Sequence, residues 1–432
     1  LNAMVGPLMQ GYLTRLGEYL EHRFSISDLS IMQSSGGTTS AEQAGRYPVN
    51  LLLSGPAGGL KGAQYVAAQS SDQLLSFDMG GTSTDVSIID KEIGFTTGAK
   101  IGGHPVAVPM VDMHTIGAGG GSIAQVDAGG LLLVGPESAG ASPGPACYGN
   151  GGMLPTVTDA NVVLGRLLPE SFLGGDMSLD NRAAIKAVTT IAEPLGLSVE
   201  EAARGIIDVV NDHMVRALRV MSVERGEDPK DFTLVSFGGA GGLHVCALAD
   251  ELEMEAAMVP VNAGILSALG MLVAESSRER SRTINRRLSD CEESMLDQLY
   301  QELEVHSKQE LGGELADGEA RVEAKVEVRR TADVRYVGQS NALNLDWRGL
   351  DQLDQAFHQK HKDSYGHDLD IDIELVNVRV RVTQQHDSFE LPAWQASQEL
   401  HEHVTDMPGF DVPVPVINRD GLAVGQKIAG PA

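Results

Sequence analysis

The sequence predicts an α/β fold followed by a C-terminal α+β domain. Residues 74–90 read LLSFDMGGTSTDVSIID, in which an apolar strand enters a Gly-Gly turn and an alternating strand leaves it. Residues 232–252 read FTLVSFGGAGGLHVCALADEL, which is a strand, a glycine run and a helix in succession. Beyond residue 276, an acidic helix and alternating strands predict the separate α+β domain.

The turn of the predicted hairpin carries residue types that suit the phosphates of a nucleotide. Glycines let backbone N–H groups approach phosphate oxygens, hydroxyls can donate to those oxygens, and carboxylates suit Mg²⁺ directly or through water. The residues concerned are Asp78, Gly80, Gly81, Thr82, Ser83, Thr84 and Asp85. The plainer interpretation is an ordinary Gly-Gly hairpin with surface threonines.

A second glycine loop supports this interpretation. A strand leads into it and a helix is predicted to begin near Leu243. Its residues are Gly238, Gly239, Ala240, Gly241 and Gly242. A nucleotide can lie flat against the backbone of such a turn, although many α/β turns have the same pattern.

Together the two loops resemble those of the sugar kinase, Hsp70 and actin superfamily of ATP-binding folds. In that superfamily the hairpin is the second phosphate loop and the glycine turn is the adenosine loop. The chain also carries a longer series of motifs: LLSGPAGG (52–59), FDMGGTSTDVS (77–87), TIGAGGGSIA (115–124), VGPESAGASPGPACYG (134–149), PTVTDANVVLGRL (155–167), FGGAGGLH (237–244) and ILSALGML (265–272). This series resembles the hydantoinase A / 5-oxoprolinase family, which includes subunits of acetone-type carboxylases. The resemblance is dense over residues 29–275 and thinner afterwards, in RYVGQS (335–340) and HKDSYGH (361–367).

The resemblance implies an actin-like (ribonuclease H-like) ATPase domain that uses ATP and Mg²⁺. It further implies a hydrolase that opens a cyclic amide, a hydantoin or 5-oxoproline, by phosphorylating the carbonyl oxygen. Asp78 and Asp85 would then be catalytic, holding Mg²⁺ or orienting the attacking oxygen. A hydantoinase B-type partner subunit and a homo-oligomer are expected. The alternatives are a ketone carboxylase subunit that phosphorylates an enolate, and a non-catalytic structural subunit.

The family has an earlier domain with its own phosphate loop, and this chain has a single such hairpin. The nearest similar segment, residues 34–39 (SSGGTT), has no carboxylate before its glycines. We therefore expect a fragment that lacks the N-terminal domain, with a truncated C-terminal domain. Such a fragment would hold half of an ATP cleft, bind nucleotide weakly and be inactive by itself.

Composition narrows the class of protein. The net charge is −27, from 32 basic and 59 acidic residues, which argues against nucleic-acid binding. Glycine makes up 50 of the 432 residues, above the roughly 7% of average proteins, as expected for a chain with glycine loops. No apolar run reaches the ~18 residues of a membrane-spanning helix, and we expect no secretion signal, because the first residues lack a charged segment followed by an apolar one. With three widely spaced cysteines, we expect a cytoplasmic protein with reduced thiols.

The pattern predicts three regions. Residues 1–73 form an N-terminal helix and a connecting segment of the ATPase core, residues 74–275 form the ATPase domain, and residues 276–432 form the C-terminal domain. Within the first two regions we predict a helix and its connection over 1–28 and helices at 60–69, 178–195 and 198–222. We also predict a loop at 54–59, three strands within 74–103, and a loop-rich stretch over 104–176. The helix at 198–222 begins with the capping box Ser198-Val199-Glu200-Glu201.

In the C-terminal region we predict helices at 290–312 and 350–362 and strands at 321–328, 333–337, 342–347 and 374–384. A basic cluster precedes them in residues 276–290, which contain five arginines. Its two interpretations are a docking surface for an acidic partner and a charged strand or linker between domains.

Other candidate sites are weaker. Asp112 and His114 would share a face if they lie on one strand, and with His244 they could bind a second divalent metal. The plainer interpretation is an aspartate that bonds a histidine. Residues 119–122 predict either an anion nest or a turn, and Asp159 is predicted to cap the helix that follows it. Cys147 is a possible nucleophile or an ordinary thiol.

Overall fold

The computed structural model describes residues 2–26, 29–96, 99–101, 104–106, 108–170, 172–314, 326–340, 342–384, 389–408 and 410–430. Its helices are α1 Asn2–Phe24, α2 Ala41–Arg46, α3 Ser54–Ala67, α4 Val157–Val163, α5 Asn181–Leu195, α6 Val199–Met221, α7 Val245–Glu251, α8 Leu266–Val273, α9 Glu293–Glu314 and α10 Leu350–Tyr365. Its strands are β1 Ser30–Met32, β2 Thr38–Ser40, β3 Gln73–Met79, β4 Thr84–Asp90, β5 Glu92–Ile93, β6 Phe95–Thr96, β7 Ala99–Ile101, β8 His104–Val106, β9 Met110–Val111, β10 His114–Ile116, β11 Ser122–Val126, β12 Leu132–Ser138, β13 Thr233–Phe237, β14 Ala257–Met258, β15 Ser276–Arg287, β16 Val326–Tyr336, β17 Leu343–Asp346, β18 Ile373–Gln384, β19 Glu402–Thr405 and β20 Val414–Ile417.

The first large sheet has the strand order β10-β4-β3-β13-β14, with β5 paired to β4. Strands β3 and β4 form the predicted antiparallel hairpin, and β13 runs parallel to both β3 and β14. The parallel pairing brings the ends of β3 and β13 to the same edge of the sheet, because Phe237 lies beside Asp78. Both glycine loops therefore leave the sheet at one edge, as the fold class requires.

Helices cover both faces of this sheet. Side chains alternate along a strand, so Leu75 and Phe77 face the apolar stripe of α6, which includes Ile206. Leu74, on the opposite face, packs with α3 and α8. The predicted helix at 198–222 is confirmed as α6, and both halves of its capping box are present. Burial on both faces makes the sheet a rigid platform for the loops at its edge.

The segment at 54–59 was predicted to be a loop, and this prediction is wrong, because α3 begins at Ser54. Its glycines serve helix packing. A Cβ atom on Gly58 would lie 2.8 Å from the carbonyl oxygen of Ser267 in α8, and one on Gly270 in α8 would overlap the carbonyl oxygen of Gly58. The motifs LLSGPAGG and ILSALGML thus form one close helix-helix contact, although they are about 200 residues apart in the chain.

The second large sheet has the order β1-β2-β15-β18-β16-β17. Helices α9 and α10 cover one face, with Tyr300 and Phe357 buried against Val380. Strands β1 and β2 were predicted to belong to the ATPase core, but they extend this second sheet through the pair Thr38 and Ser276. The two-layer arrangement is the predicted α+β architecture.

Several local predictions in the chain need correction. A single strand, β16, replaces the two predicted at 321–328 and 333–337, and residues 321–325 lie outside the described residues. The third strand predicted within 74–103 is divided into the short strands β5, β6 and β7, with residues 97, 98, 102 and 103 outside the described part. The stretch at 104–176 contains the hairpin β11–β12 and helix α4 in addition to its loops. Within the described residues, no helix has the length and apolar character needed to cross a membrane.

Candidate nucleotide site

The β3–β4 hairpin places two carboxylates opposite each other. Asp78 and Asp85 are directly paired across the strands, so their side chains point to the same face of the sheet. The turn between them is closed by a 3.1 Å hydrogen bond from the Gly80 N–H to the Ser83 carbonyl. Gly81 and Thr82 are exposed at its tip, and a Cβ atom on Gly81 would meet no other atom within 4 Å. The turn is therefore open to an incoming group.

The N–H groups of this turn are available. Within the described residues, the N–H groups of Gly81, Thr82 and Ser83 have no hydrogen-bond acceptor. The Thr84 hydroxyl differs, because it is fully buried and donates a 2.6 Å hydrogen bond to the Ala118 carbonyl. A contact between Thr84 and phosphate would require that bond to break. The exposed tip, rather than Thr84, has the geometry of an anion cradle.

Burial sets the electrostatics of the two carboxylates. Burial, with a smaller contribution from the charge of Asp85, raises the pKa of Asp78 to about 6. Burial also raises the pKa of Asp85, while a hydrogen bond from Thr115 acts in the opposite direction. The Thr115 hydroxyl donates to Asp85 Oδ1 at 2.6 Å. Two adjacent carboxylates with raised pKa values are typical of a functional site.

Thr115 is a site residue that the sequence analysis missed. It lies opposite Asp85 because β10 pairs with β4. That register joins residues 30 positions apart, so no local pattern reveals it. The available signal was the motif TIGAGGGSIA, where a polar hydroxyl precedes the glycine loop.

The glycine loop at 117–121 packs onto the hairpin turn. The N–H groups of Gly120 and Gly121 donate to the carbonyls of Gly80 and Gly81, at 3.0 and 2.6 Å. The N–H of Gly119 donates to the Ser122 hydroxyl at 2.8 Å, so these groups are not available to an anion. The interpretation as a turn is correct and the anion nest is not formed. The loop instead holds the phosphate turn in place.

The second predicted loop, residues 238–242, lies against Asp78. Gly238 has φ +79°, and a Cβ atom there would be 2.5 Å from the Met79 carbonyl oxygen and would overlap the Asp78 carboxylate. The Ala240 N–H donates to the same carbonyl at 3.0 Å. Gly239, in contrast, has nothing within 4 Å of its Cβ position. At position 238 only glycine allows the backbone to lie this close to Asp78 and Met79. The contact brings the two predicted nucleotide loops side by side.

His244 is a buried structural histidine in this arrangement. It precedes α7 and its Nδ1 lies 2.7 Å from Asn211 Oδ1 of α6. Burial, with a smaller effect from Arg166, lowers the pKa of His244 to about 4. The ring is therefore neutral, and Nδ1–H donates to the amide oxygen. Nε2 is buried without a hydrogen-bond partner among the described residues.

The structure does not bring Asp112, His114 and His244 together. Asp112 lies between β9 and β10 rather than on one strand with His114, and its carboxylate forms an ion pair with Arg225. Across the described residues, no three His, Cys, Asp or Glu side chains are arranged to hold a metal ion. The second metal site predicted from these three residues is therefore wrong.

Asp159 and Cys147 are structural as well. Asp159 completes a capping box with Thr156 at the start of α4 and accepts a 2.8 Å hydrogen bond from the Cys147 N–H. Cys147 is fully buried, and burial raises the pKa of its thiol well above the usual range. A thiol in this state is a poor nucleophile. All three cysteines are free, as predicted.

The fold is that of the actin-like ATPase class, which it shares with two solved structures. The sequence profile described as hydantoinase/oxoprolinase matches residues 1–280. The chain belongs to the hydantoinase/oxoprolinase family.

Two of its relatives carry the names of enzymes that act on cyclic amides. The chain is 36% identical to the caprolactamase subunit alpha of Pseudomonas jessenii, over all of this chain and 64% of that protein. It is 34% identical to the 5-oxoprolinase of Saccharomyces cerevisiae, over 85% of this chain and 29% of that protein. The chain thus spans less than two thirds of the length of these relatives.

Two solved structures share the fold. The crystal structure of ATP-dependent caprolactamase from Pseudomonas jessenii has a TM-score of 0.79 and 36% identity, covering 91% of this chain and 58% of that one. The nucleotide-free structure of acetone carboxylase has a TM-score of 0.73 and 25% identity, covering 98% of this chain and 63% of that one.

Proposed function

We propose that this chain forms the phosphate- and adenosine-binding part of an ATP- and Mg²⁺-dependent hydrolase that opens cyclic amides. The observation that carries the proposal is the facing pair Asp78 and Asp85 beside an open turn whose N–H groups lack acceptors. The adjoining loop at 238–242 would contact the adenosine through Gly239 and its neighbours. Positioning and charge neutralisation would supply most of the rate.

The residues at the hairpin fit a magnesium ion. Carboxylate oxygens are the ligands this cation prefers, and Asp78 and Asp85 present two of them on one face. The raised pKa of Asp78 reflects a burial cost that a nearby cation would offset. Magnesium, when bound, would neutralise the charge of the phosphates. The two aspartates would hold it directly or through water, or orient the attacking oxygen.

The chemistry explains why ATP is needed. A cyclic amide resists water because resonance stabilises the C–N bond. Attack of the carbonyl oxygen on the γ-phosphorus releases ADP and forms a phosphorylated imidate, to which water adds at carbon. The C–N bond of this adduct then breaks and leaves an acyl phosphate, which a second water hydrolyses, so one amide, one ATP and two waters give an amino acid, ADP and phosphate. The exposed N–H groups of Gly81, Thr82 and Ser83 would contact the phosphates during this transfer.

A second subunit belongs to the proposal. The caprolactamase relative is named subunit alpha, and we propose that this chain likewise works with a hydantoinase B-type partner. We also keep the domain division at residues 74–275 and 276–432 as a proposal, with strands β1 and β2 added to the second unit.

The test is release of ADP with the partner present. Caprolactam or 5-oxoproline should stimulate ADP release, and Asp85→Asn should reduce the stimulated rate at least ~100-fold, since it removes a charge that acts on the transferring group. Asp90→Asn, at the far end of the same hairpin, should leave it unchanged. Stimulated release that survives Asp85→Asn would contradict the proposal.

A second candidate is ATP-dependent carboxylation of a ketone. The fold similarity to acetone carboxylase over 98% of this chain favours it, and the phosphate chemistry would be the same. Acetone with bicarbonate would then stimulate ADP release, and the cyclic amides would not. If the complex neither binds nor hydrolyses ATP with any of these compounds, the alternative of a non-catalytic structural subunit is favoured.

A further inference from the structure

A cavity in the C-terminal domain is lined by two arginines and lies outside the site of the proposed reaction. Its volume is about 340 Å³, at the lower end of the ~300–1,000 Å³ typical of ligand pockets. It lies between β15 and α9. Its lining includes Arg282, Ile284, Arg286, Met295, Leu299 and Glu302.

The two arginines of the cavity differ from others on the same strand. Arg280 forms an ion pair with Glu310, and Arg287 forms one with Asp372 at 2.9 Å. Within the described residues, Arg282 and Arg286 have no carboxylate within ion-pair distance. This is notable in a chain with a net charge of −27, where acidic partners are plentiful. Two guanidinium groups that form no ion pair, at one cavity with the single carboxylate of Glu302, favour an anion.

The backbone of β15 is irregular between Arg282 and Arg286. The pairing of β15 with β18 shifts between Thr283 and Arg286, and Asn285 has φ +47°. This irregularity is a bulge, which redirects side chains and prevents another strand from pairing along the edge. The cavity beside the bulge, rather than the strand edge, is therefore the place for a ligand.

Helix α9 supplies the other wall. Met295, Leu299 and Glu302 are spaced by four and three residues, so they lie on one face of the helix. With Ile284 from the strand, Met295 and Leu299 give the cavity an apolar surface. The Glu302 carboxylate also lines it and opposes a doubly charged ligand more than a singly charged one.

We propose that this cavity binds a small organic carboxylate, with the charged group at Arg282 and Arg286 and an apolar body against Ile284, Met295 and Leu299. A single negative charge suits two arginines and one glutamate. The apolar wall distinguishes the ligand from inorganic anions.

The probe is hexanoate, titrated by ligand-observed NMR at low salt. We expect saturable millimolar binding that falls ~10-fold or more in the double variant Arg282→Gln/Arg286→Gln, because charge-assisted bonds of guanidinium to carboxylate are lost. Arg287→Gln is the matched control, since that arginine is a neighbour on the strand but pairs with Asp372. It should bind within twofold of the unchanged protein. Melting temperatures establish that each variant is folded.

Two further probes separate the contributions. Hexanol, which lacks the charge, and inorganic phosphate, which lacks the apolar body, should both bind at least ~10-fold more weakly than hexanoate. Phosphate binding equal to that of hexanoate would overturn the assignment, and so would hexanoate binding that is equal in the double variant and in Arg287→Gln. Absence of saturable hexanoate binding would also reject it. Because the nucleotide loops lie in the other sheet, none of these results bears on the proposed function.

Discussion

The central residues are two carboxylates that repel each other and are partly removed from water. Asp78 faces Asp85 across the hairpin, and burial raises the pKa values of both. Folding has to accommodate this arrangement without a charged partner among the described residues. The free-energy cost of burying two neighbouring carboxylates is expected where a cation and phosphates are to be bound.

The first prediction concerns pH and stability. Folded Asp78 keeps its proton up to about pH 6, whereas the unfolded group loses it near 3.8. Between these values the folded state binds more protons, so the free energy of unfolding falls as pH rises. The cost at pH 7.5 is on the order of 2 kcal/mol, after allowance for partial exposure. Asp78→Asn should therefore raise the free energy of unfolding at pH 7.5 by about that amount.

The same difference should be much smaller near pH 4, where folded Asp78 is protonated and the unfolded group, with a pKa of 3.8, is only about half ionised. Urea unfolding at the two pH values measures it, and Asp90→Asn serves as the control, with less than ~0.5 kcal/mol expected for a surface change. A variant that is destabilised at pH 7.5 would show that the carboxylate at position 78 stabilises the fold.

The second prediction concerns the contact between the two nucleotide loops. Gly238→Ala places a Cβ atom against Asp78 and the Met79 carbonyl at a positive φ, which L residues adopt at a cost of ~1–2 kcal/mol. We expect at least ~10-fold weaker Mg-ATP binding and a lower melting temperature. Gly239→Ala adds its methyl to open space and should change the melting temperature little. Equal effects of the two variants would contradict the contact.

At the scale of elements, the sequence predicted what is local and missed what depends on distant partners. The β3–β4 hairpin follows from strand alternation and a glycine turn, and α6 from its capping box and stripe. Helix α3 was partly misread because its glycines resemble a loop, while their reason is α8, far along the chain. Thr115 was missed for the same reason, since only the register of β10 reveals it.

The third prediction tests that helix contact. Gly270→Ala would force α3 and α8 apart, because its methyl would overlap the Gly58 carbonyl. Overpacking of this kind typically costs ~1–3 kcal/mol or more. Gly55→Ala, in the first turn of α3, meets no atom within 4 Å and should be neutral or slightly stabilising. Urea unfolding of both variants measures the difference, and an equally tolerated Gly270→Ala would show that α8 moves freely.

At the scale of the molecule, two sheets are held together by specific contacts. Glu92 of β5, in the first sheet, forms an ion pair with Arg329 of β16, in the second. The Arg381 guanidinium of β18 lies 4.0 Å from the centroid of the Phe95 ring, which belongs to the small β6–β9 sheet between them in sequence. Strands β1 and β2 join the second sheet although they precede the first in sequence. The sequence predicted the α/β and the α+β architecture. It did not predict that β1 and β2 belong to the second sheet, because the pairing of β2 with β15 joins residues 238 positions apart.

The central claim is that the Asp78 hairpin and the loop at 238–242 bind Mg-ATP. Calorimetric titration of Mg-ATP into this chain, and into a version extended at its N-terminus, tests it most directly. We predict saturable binding, tighter in the extended version, that Asp78→Ala abolishes in both. Binding that persists in the Asp78→Ala variants, or no binding to either version, would contradict the claim.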